Sequence, residues 1–240
     1  MLSFHADVVG SLLRPPELLE AQEQLAAGTI TAHQFKGIED KAVDDAIALQ
    51  ESVGLEVLTD GEMRRESFQS QMTAAVSGFG EYTLDAFLWG DWHDEAGVHS
   101  KPRPANLGVV SKLVRQRYLS AAEFIYLKAK SQRIPKITLP SPGLWVNFWS
   151  PRRSSKAYPT LEAYFADIVK ILRDEVAELA RLGATYIQLD APHYGLLLDP
   201  KTRRFYESQG WSLERWLSTG IELDNAVMNG FPGVTFAIHL

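Results

Sequence analysis

The chain ends in the stretch Val234-Thr-Phe-Ala-Ile-His239-Leu240, a β-branched and apolar run whose last polar residue is a histidine. Two earlier stretches have the same pattern, Leu55-Glu-Val-Leu-Thr-Asp60-Gly61-Glu62 and Ala184-Thr-Tyr-Ile-Gln-Leu-Asp190-Ala-Pro192. A glycine suited to a tight turn precedes each of them: Gly54, Gly183 and Gly233. This succession of helix-like segment, tight turn and apolar strand is typical of a parallel α/β fold.

Strand, long helix and strand in succession predict right-handed parallel crossovers, and we expect a TIM-type (β/α)8 barrel. We count about six strand-helix units, where such a barrel has eight in roughly 250 residues, so the last two units are expected to be missing. Residues 1–240 would then form one incomplete barrel domain. Because the carboxyl ends of barrel strands open on one face, we expect Glu62, Asp190 and His239 to converge there.

Helix caps and breakers predict the elements between these strands. Helices are expected at residues 17–27 after Pro16, from the cap Thr31 to about residue 52, at residues 120–132, and from the cap Thr160 to Gly183. Further barrel strands are expected at residues 6–12, 106–114 and 134–139, and a polar loop at residues 199–209. After residue 139, two prolines and a glycine should turn the chain outward, so that the aromatic stretch 144–149 decorates the barrel rim.

The least regular part of the chain spans residues 79–104, which are rich in glycine and aromatic residues. A loop this long inside a compact domain is usually functional or a small excursion of hairpin type. Two interpretations remain open, a flap over the mouth of the barrel or a surface hairpin with a small core of its own.

Composition excludes several classes of function. The formal net charge of −6 and a pI near 5.5 argue against a nucleic-acid partner, which would require a basic surface. No apolar run approaches the roughly 18 residues needed to span a bilayer, and the N-terminus lacks the features of a signal peptide, so we expect a cytoplasmic protein without a membrane partner. The sequence contains no cysteine, which excludes disulfides and thiolate metal ligands within this chain. The oligomeric state is not indicated.

Four landmarks, in order along the chain, resemble the cobalamin-independent methionine synthase family, in particular its short forms built on the C-terminal catalytic barrel. The landmarks are Val9-Gly10-Ser11 with Arg14-Pro15, Asp60-Gly61-Glu62, Ile187-Gln-Leu-Asp190-x-Pro192, and Phe236-Ala-Ile-His239. The resemblance spans the whole chain. The sequence differs from the family pattern at Ala191, where the classical synthases have a glutamate. His193 and Tyr194 follow shortly after this position.

The resemblance implies a zinc-dependent transfer of a methyl group from a methylated folate to a thiol such as homocysteine, which makes methionine. The family residues matched by Ser11, Glu62 and Asp190 hold the amino-acid end of homocysteine. The residue matched by His239 is a zinc ligand, and in the family a cysteine lies two positions beyond it. This chain ends one residue short of that position.

The chemistry of such a site agrees with these residue types. A thiol with a pKa near 8.5 is mostly protonated at neutral pH, and zinc coordination makes it a thiolate. Two carboxylates would hold an ammonium group, and the Ser11 hydroxyl could receive a carboxylate. We consider His193 as the proton donor to the departing carrier nitrogen and Trp149 as a stacking surface for a flat pteridine ring.

Structural roles remain open for each of these residues. Glu62 and Asp190 could instead pair with Arg64 or Arg65. His239 could be satisfied by a hydrogen bond in the core, and His193 could be an ordinary loop residue. Trp149 could cover the core rather than a ligand.

Three other functions compete with methionine synthesis. One is alkyl transfer to a different thiol on the same zinc scaffold. Another is a zinc-free relative of the uroporphyrinogen decarboxylase type. The third is a barrel that only binds a small amino-acid-like ligand without catalysis.

The ligand count predicts the metal content of this chain. A catalytic zinc site needs about three protein ligands, whereas the sequence supplies one imidazole at its end and no thiolate. We therefore expect the 240-residue chain to be purified without zinc and to be inactive in methyl transfer. A chain continued through the next two strand-helix units should carry His-x-Cys and bind about one zinc per chain. Elemental analysis of both chains is the measurement, and stoichiometric zinc that supports activity in the shorter chain would contradict the expectation.

Overall fold

The computed structural model describes residues 6–81, 92–94, 97–99, 107–208 and 210–240. The strands, in chain order, are β1 (Val57–Leu58), β2 (Val76–Glu81), β3 (Trp92–Asp94), β4 (Gly97–His99), β5 (Leu107–Arg115), β6 (Ile134–Pro140), β7 (Tyr186–Asp190) and β8 (Thr235–His239). The helices are α1 (Pro16–Ala26), α2 (Ala32–Ser52), α3 (Ser70–Ala75), α4 (Ala121–Lys130), α5 (Leu161–Leu182), α6 (His193–Leu196), α7 (Pro200–Ser208), α8 (Leu213–Arg215) and α9 (Ile221–Met228). A 3-10 helix spans Pro142–Phe148, and a π-helical turn spans Trp216–Gly220.

The main sheet has four parallel strands in the order β1-β6-β7-β8. All five residues of β7 are buried, as expected for a central parallel strand. The register pairs Pro140 with Asp190 and Asp190 with His239, so three strands end level at one edge. The predicted α/β class with a parallel sheet is confirmed. The described strands form an open sheet and no closed barrel.

The prediction of a first strand at residues 6–12 is wrong. Residues 6–9 have no regular secondary structure, because side chains from the sheet region occupy the carbonyl groups that a ladder would use. The donors are Lys136 to Val8, Gln188 to Val9 (2.7 Å) and Thr59 to Gly10 (2.8 Å). The segment is thereby held across the sheet, which brings the Val9-Gly10-Ser11 loop to the edge where the strands end.

The predicted strand at residues 106–114 exists as β5, but its place in the parallel sheet is wrong. It pairs antiparallel with β2, with Val76 opposite Arg115 and Glu81 opposite Leu107. The described part of the chain therefore has four parallel strands rather than the six expected. Of the predicted insertion at residues 79–104, the first three residues belong to β2, and β3 and β4 form an antiparallel pair. Residues 82–91, 95–96 and 100–104 lie outside the described residues.

The two long helices begin at the predicted caps. The Thr31 hydroxyl accepts from the Gln34 amide (3.2 Å), and the Gln34 side chain accepts from the Thr31 amide (2.9 Å). Thr160 accepts from the Ala163 amide (3.2 Å), and α5 ends at Gly183 with a φ of 99°. Glycine adopts this left-handed conformation without steric cost. Both predicted boundaries are confirmed.

Two predicted features of the second half are wrong. The polar segment 199–209 contains α7, because the Asp199 carboxylate accepts from the Thr202 amide (2.9 Å) and Pro200 takes the first helical position. The aromatic stretch after β6 turns into the core instead of decorating a rim. Trp145 and Phe148 are buried there with ring centroids 4.8 Å apart.

In the described part, none of the helices combines the length and hydrophobicity that crossing a lipid bilayer requires.

A buried glutamine fixes the end of β1, which leads to Asp60-Gly61-Glu62. The Gln50 side chain donates to Thr59 O (2.8 Å) and accepts from Thr59 N (3.0 Å). Gln50→Ala leaves both buried backbone groups unpaired, so we expect a loss of about 2 kcal/mol or more in the free energy of unfolding. Urea unfolding measures it. Exposed Gln24→Ala is the control and should stay within about 0.5 kcal/mol of the parent. Equal effects of the two changes would contradict this role of Gln50.

Candidate functional site

One cavity lies at the edge where the parallel strands end, and we call it the strand-end cavity. Its volume is about 300 Å³. Its lining residues are Val9, Gly10, Ser11, Glu62, Phe68, Asp190, Pro192 and His239. The structure therefore brings together Ser11, Glu62, Asp190 and His239, which are four of the six residues singled out from the sequence. A carboxylate pair and an imidazole around an apolar volume suit a small ligand that carries a positive charge.

The carboxylate of Glu62 is fixed in place by hydroxyl donors. Thr138 donates to Glu62 Oε1 (2.6 Å), and Ser11 donates to Glu62 Oε2. The backbone of Glu62 is in the left-handed region, with a φ of 54°. It is the sole non-glycine residue in that region within the described ranges. Such a conformation costs on the order of 1 to 3 kcal/mol and persists only where the surroundings enforce it.

The guanidinium of Arg65 supports this arrangement from below the cavity. It donates to Glu62 Oε1 (3.3 Å), to Thr138 Oγ1 (2.9 Å) and to Glu123 Oε2 (2.7 Å). Burial alone would lower the pKa of Arg65, but the carboxylates of Glu123, Glu62 and Asp60 outweigh it and raise the pKa above its usual value. Arg65 therefore stays charged. The alternative expected from sequence, that an arginine pairs with Glu62, is correct for Arg65, whereas Arg64 pairs with Glu39 and Asp40.

The Val9-Gly10-Ser11 loop requires glycine because it runs against Glu62. A Cβ atom at Gly10 would lie 2.6 Å from Glu62 Oε1 and 3.2 Å from Thr138 Cγ2. Any side chain there would displace the carboxylate or the loop. The landmark glycine of this loop is thus explained by close approach to the acid that lines the cavity.

Asp190 and His239 face each other across the ends of β7 and β8. His239 Nδ1 lies 3.3 Å from Asp190 Oδ1, and Gln188 donates to the same carboxylate oxygen (2.7 Å). Burial raises the pKa of Asp190 and repulsion from Glu62 adds to it, while the Gln188 hydrogen bond and His239 act in the opposite direction. The Asp190 side chain is 7% exposed and that of His239 is 42% exposed, so the imidazole forms the solvent side of the cavity.

The described residues do not fit a complete zinc site. Zinc takes three or four nitrogen, oxygen or sulfur ligands in proteins. Within the described ranges, no group of three or more histidine, cysteine, aspartate and glutamate side chains could hold a metal ion. Asp190 faces Nδ1 of His239 in the way that carboxylates orient metal-binding imidazoles, which directs Nε2 elsewhere. The zinc-ligand role of His239 stays a prediction.

His193 and Trp149 lie outside the lining of the strand-end cavity. His193 is buried, its ring packs on Tyr194 and Trp216, and neither of its nitrogens has a hydrogen-bond partner among the described residues. Burial lowers the pKa of His193 to about 3, so the ring is neutral near pH 7. Trp149 is partly buried against the main core and donates to Tyr158 O (3.2 Å). The roles predicted for these two residues in proton donation and pteridine stacking stay predictions.

Several residues that shape the site were not identified from the sequence, among them Thr138, Phe68 and Glu123. Phe68 lines the cavity from an irregular turn six residues after Glu62, where no periodic pattern predicts its position. Glu123 lies on α4 and reaches the site through Arg65. A glutamate on the buried face of a helix was an available signal, since buried acids are almost always paired.

Asp60 is a second buried acid beneath the cavity. Its Oδ1 accepts from the Glu62 amide (2.9 Å), and its Oδ2 has no hydrogen-bond partner in the described part of the chain. Burial raises the pKa of Asp60 to about 7, and repulsion from Glu123 adds to this. Arg65 and the bond from the Glu62 amide counteract the increase only in part.

This shift predicts a pH-dependent cost of folding. Between about pH 4 and pH 7 the unfolded state has released the proton of Asp60 while the folded state retains it, so stability falls as the pH rises. Asp60→Asn removes this titration. We expect the difference in free energy of unfolding, variant minus parent, to increase by on the order of a few kcal/mol from pH 4 to pH 7. Urea unfolding at four pH values tests it, and a constant difference across the range would contradict the assignment.

Several known proteins resemble this chain in sequence. The model of the family described as "Cobalamin-independent synthase, Catalytic domain" matches residues 4–225. The uncharacterized protein YxjH of Bacillus subtilis is 28% identical over 239 residues, which cover 99% of this chain and 61% of that protein. A 5-methyltetrahydropteroyltriglutamate–homocysteine methyltransferase of Thermosynechococcus vestitus is 28% identical over 214 residues, which cover 89% of this chain and 26% of that enzyme.

A solved structure supports the fold. The putative vitamin-B12 independent methionine synthase of Listeria monocytogenes superimposes with a TM-score of 0.73 at 21% identity, and the match covers 99% of this chain and 65% of that one. The chain thus spans less than two thirds of the length of each of these relatives. Because the family model covers nearly the whole chain and each of the four landmarks contributes to the strand-end cavity, the protein belongs to the cobalamin-independent synthase catalytic-domain family.

Proposed function

We propose that this chain binds homocysteine in the strand-end cavity, which is the acceptor site for transfer of a methyl group to the homocysteine sulfur in the synthesis of methionine. The observation that carries the proposal is that Glu62 and Asp190 line one cavity of about 300 Å³ together with Ser11 and His239. Family membership and the name of the relative from Thermosynechococcus vestitus support methyl transfer to homocysteine at the level of the reaction class.

Charge supports an ammonium group as the feature that is recognised. Four buried acids, Asp60, Glu62, Glu123 and Asp190, interact with one buried guanidinium, that of Arg65. Lys136, which is also buried, pairs with Asp7 (3.1 Å). An ammonium between Glu62 and Asp190 would offset the surplus negative charge in a region of low dielectric, where such a pair is worth more than at a surface. The α-amino group of an amino acid has this chemistry.

The chain's own residues would position the acceptor for the reaction. When the methyl group moves, a sulfur–carbon bond forms, the carbon–nitrogen bond of the donor breaks, the thiol loses its proton and the carrier nitrogen gains one. Glu62 and Asp190 would hold the amine, while Ser11, which donates to Glu62, would have to rotate to receive the substrate carboxylate. The apolar surface of Phe68 and Pro192 would surround the carbon chain and limit access of water.

The methyl donor and the zinc ion are inferred from the family to which the chain belongs. A methylated folate is the donor named for the relative from Thermosynechococcus vestitus. Zinc would supply the conversion of thiol to thiolate, with Nε2 of His239 as one ligand. We assign no step to zinc, since the described residues do not form a complete site. We also propose that the parallel sheet belongs to an incomplete (β/α)8 barrel, with residues 1–240 as a single domain.

Calorimetric titration with L-homocysteine tests recognition of the amine. Glu62→Gln and Asp190→Asn each remove a charge that faces the ammonium while keeping the shape of the side chain. Each change should weaken binding by about 1.5 to 3 kcal/mol, the size of a hydrogen bond to a charged group. Glu20→Gln on the exposed face of α1 is the matched control and should leave the affinity unchanged.

The deaminated analogue 4-mercaptobutanoate separates this function from its competitors. We expect the parent chain to bind it at least about tenfold more weakly than L-homocysteine, and the Glu62→Gln variant to discriminate much less between the two. Equal affinity of the parent chain for both compounds would exclude recognition of the amine. Preference for another amino thiol would favour a different acceptor on the same scaffold.

A further inference from the structure

The turn that presents Glu62 to the cavity has an unusual backbone. Gly61 and Glu62 follow one another with φ values of 69° and 54°. Glycine adopts the left-handed conformation without steric cost, whereas the Cβ atom of Glu62 makes it unfavourable for the glutamate. Some neighbouring group must therefore enforce it.

Hydrogen bonds from three directions act on this turn. The Gly61 amide donates to Thr59 Oγ1 (3.1 Å), the Leu12 amide donates to Gly61 O (3.0 Å), and Arg14 donates to Glu62 O (3.0 Å). These contacts hold residue 61 and the carbonyl side of Glu62. The amide of Glu62 itself is bound by Asp60 Oδ1 (2.9 Å).

Asp60 contacts the Glu62 amide and does not line the cavity in which a ligand would bind. Its side chain is 3% exposed, and it is absent from the lining of the strand-end cavity. One carboxyl oxygen binds the Glu62 amide, whereas the other has no hydrogen-bond partner among the described residues. A buried oxygen without a partner is costly, so the residue imposes a cost on folding that a purely structural side chain would avoid.

We propose that Asp60 is a positioning residue, which holds the Glu62 backbone in its left-handed conformation so that the carboxylate points into the strand-end cavity. The expected effect on binding of the amine rests on the proposed function. The positioning of Glu62 by Asp60 does not depend on it. Because Asp60 acts through Glu62, its removal should weaken ligand binding only while Glu62 carries its charge.

The neutral amide of asparagine provides the discriminating variant. Asp60→Asn keeps an oxygen that can accept from the Glu62 amide, and Asp60→Leu keeps the approximate shape without an acceptor. A residue that matters only for packing would tolerate leucine about as well as asparagine. A positioning residue requires the acceptor, so asparagine should rescue what leucine loses.

A measurement without ligand tests the geometry. Amide hydrogen exchange followed by NMR should show the Glu62 amide protected in the parent chain and, within about threefold, in Asp60→Asn. In Asp60→Leu, or Asp60→Ala if leucine prevents folding, that amide should exchange at least about tenfold faster, while core amides such as that of Leu189 change much less. Unchanged protection of the Glu62 amide in the variant that lacks the acceptor would overturn the proposal.

A double-mutant cycle tests the consequence for binding. Calorimetry with L-homocysteine should show Asp60→Leu about tenfold or more weaker than the parent chain and Asp60→Asn within about threefold of it. In the Glu62→Gln background, Asp60→Leu should cause no further loss. An equal loss in both backgrounds would overturn the proposal in favour of a general structural role.

The two measurements separate the two hypotheses. If the parent chain binds no L-homocysteine, the proposed function fails, and the exchange data still decide whether Asp60 positions Glu62. If L-homocysteine binds but the exchange rate of the Glu62 amide is the same in all Asp60 variants, the positioning role fails while the proposed function stands.

Discussion

A single buried guanidinium, that of Arg65, holds together the elements that form the strand-end cavity. It connects the loop after β1 to the carboxyl end of β6 through Thr138 and to α4 through Glu123. Taking these charges out of water costs several kcal/mol each, and only their mutual pairing offsets it. Since Arg65 is in contact with every one of these partners, its loss would leave buried acids without a counter-ion. The position of Glu62 therefore depends on an interaction beneath the site.

The same charge balance supports the proposal that the site binds a cation. Arg65 neutralises part of the negative charge of its neighbours, and Asp60 reduces the remainder by retaining a proton up to about pH 7. Asp190 lies on the far side of Glu62, where its raised pKa reflects both burial and repulsion from Glu62. A ligand ammonium would relieve that repulsion directly. The repulsion between these carboxylates is thus the interaction that a positively charged ligand would convert into affinity.

Much of the fold could be predicted from the sequence because local chemistry determines it. The caps at Thr31 and Thr160 and the turn at Gly183 fix helix boundaries without reference to the rest of the chain. The rule that parallel strands end at one edge placed Glu62, Asp190 and His239 together across about 180 residues of sequence. These inferences need only periodicity, capping residues and a single rule of topology.

The wrong predictions concern features set by partners distant in sequence. An apolar run cannot reveal that β5 pairs with β2 in the antiparallel sense, nor that side chains of Lys136 and Gln188 occupy the carbonyl groups of residues 8 and 9. Local propensity also argues against a left-handed glutamate, and yet Glu62 has that conformation. Functional sites are where local preference and tertiary constraint most often disagree. The strain at Glu62 is consistent with this, because the contacts that enforce it also direct its carboxylate into the cavity.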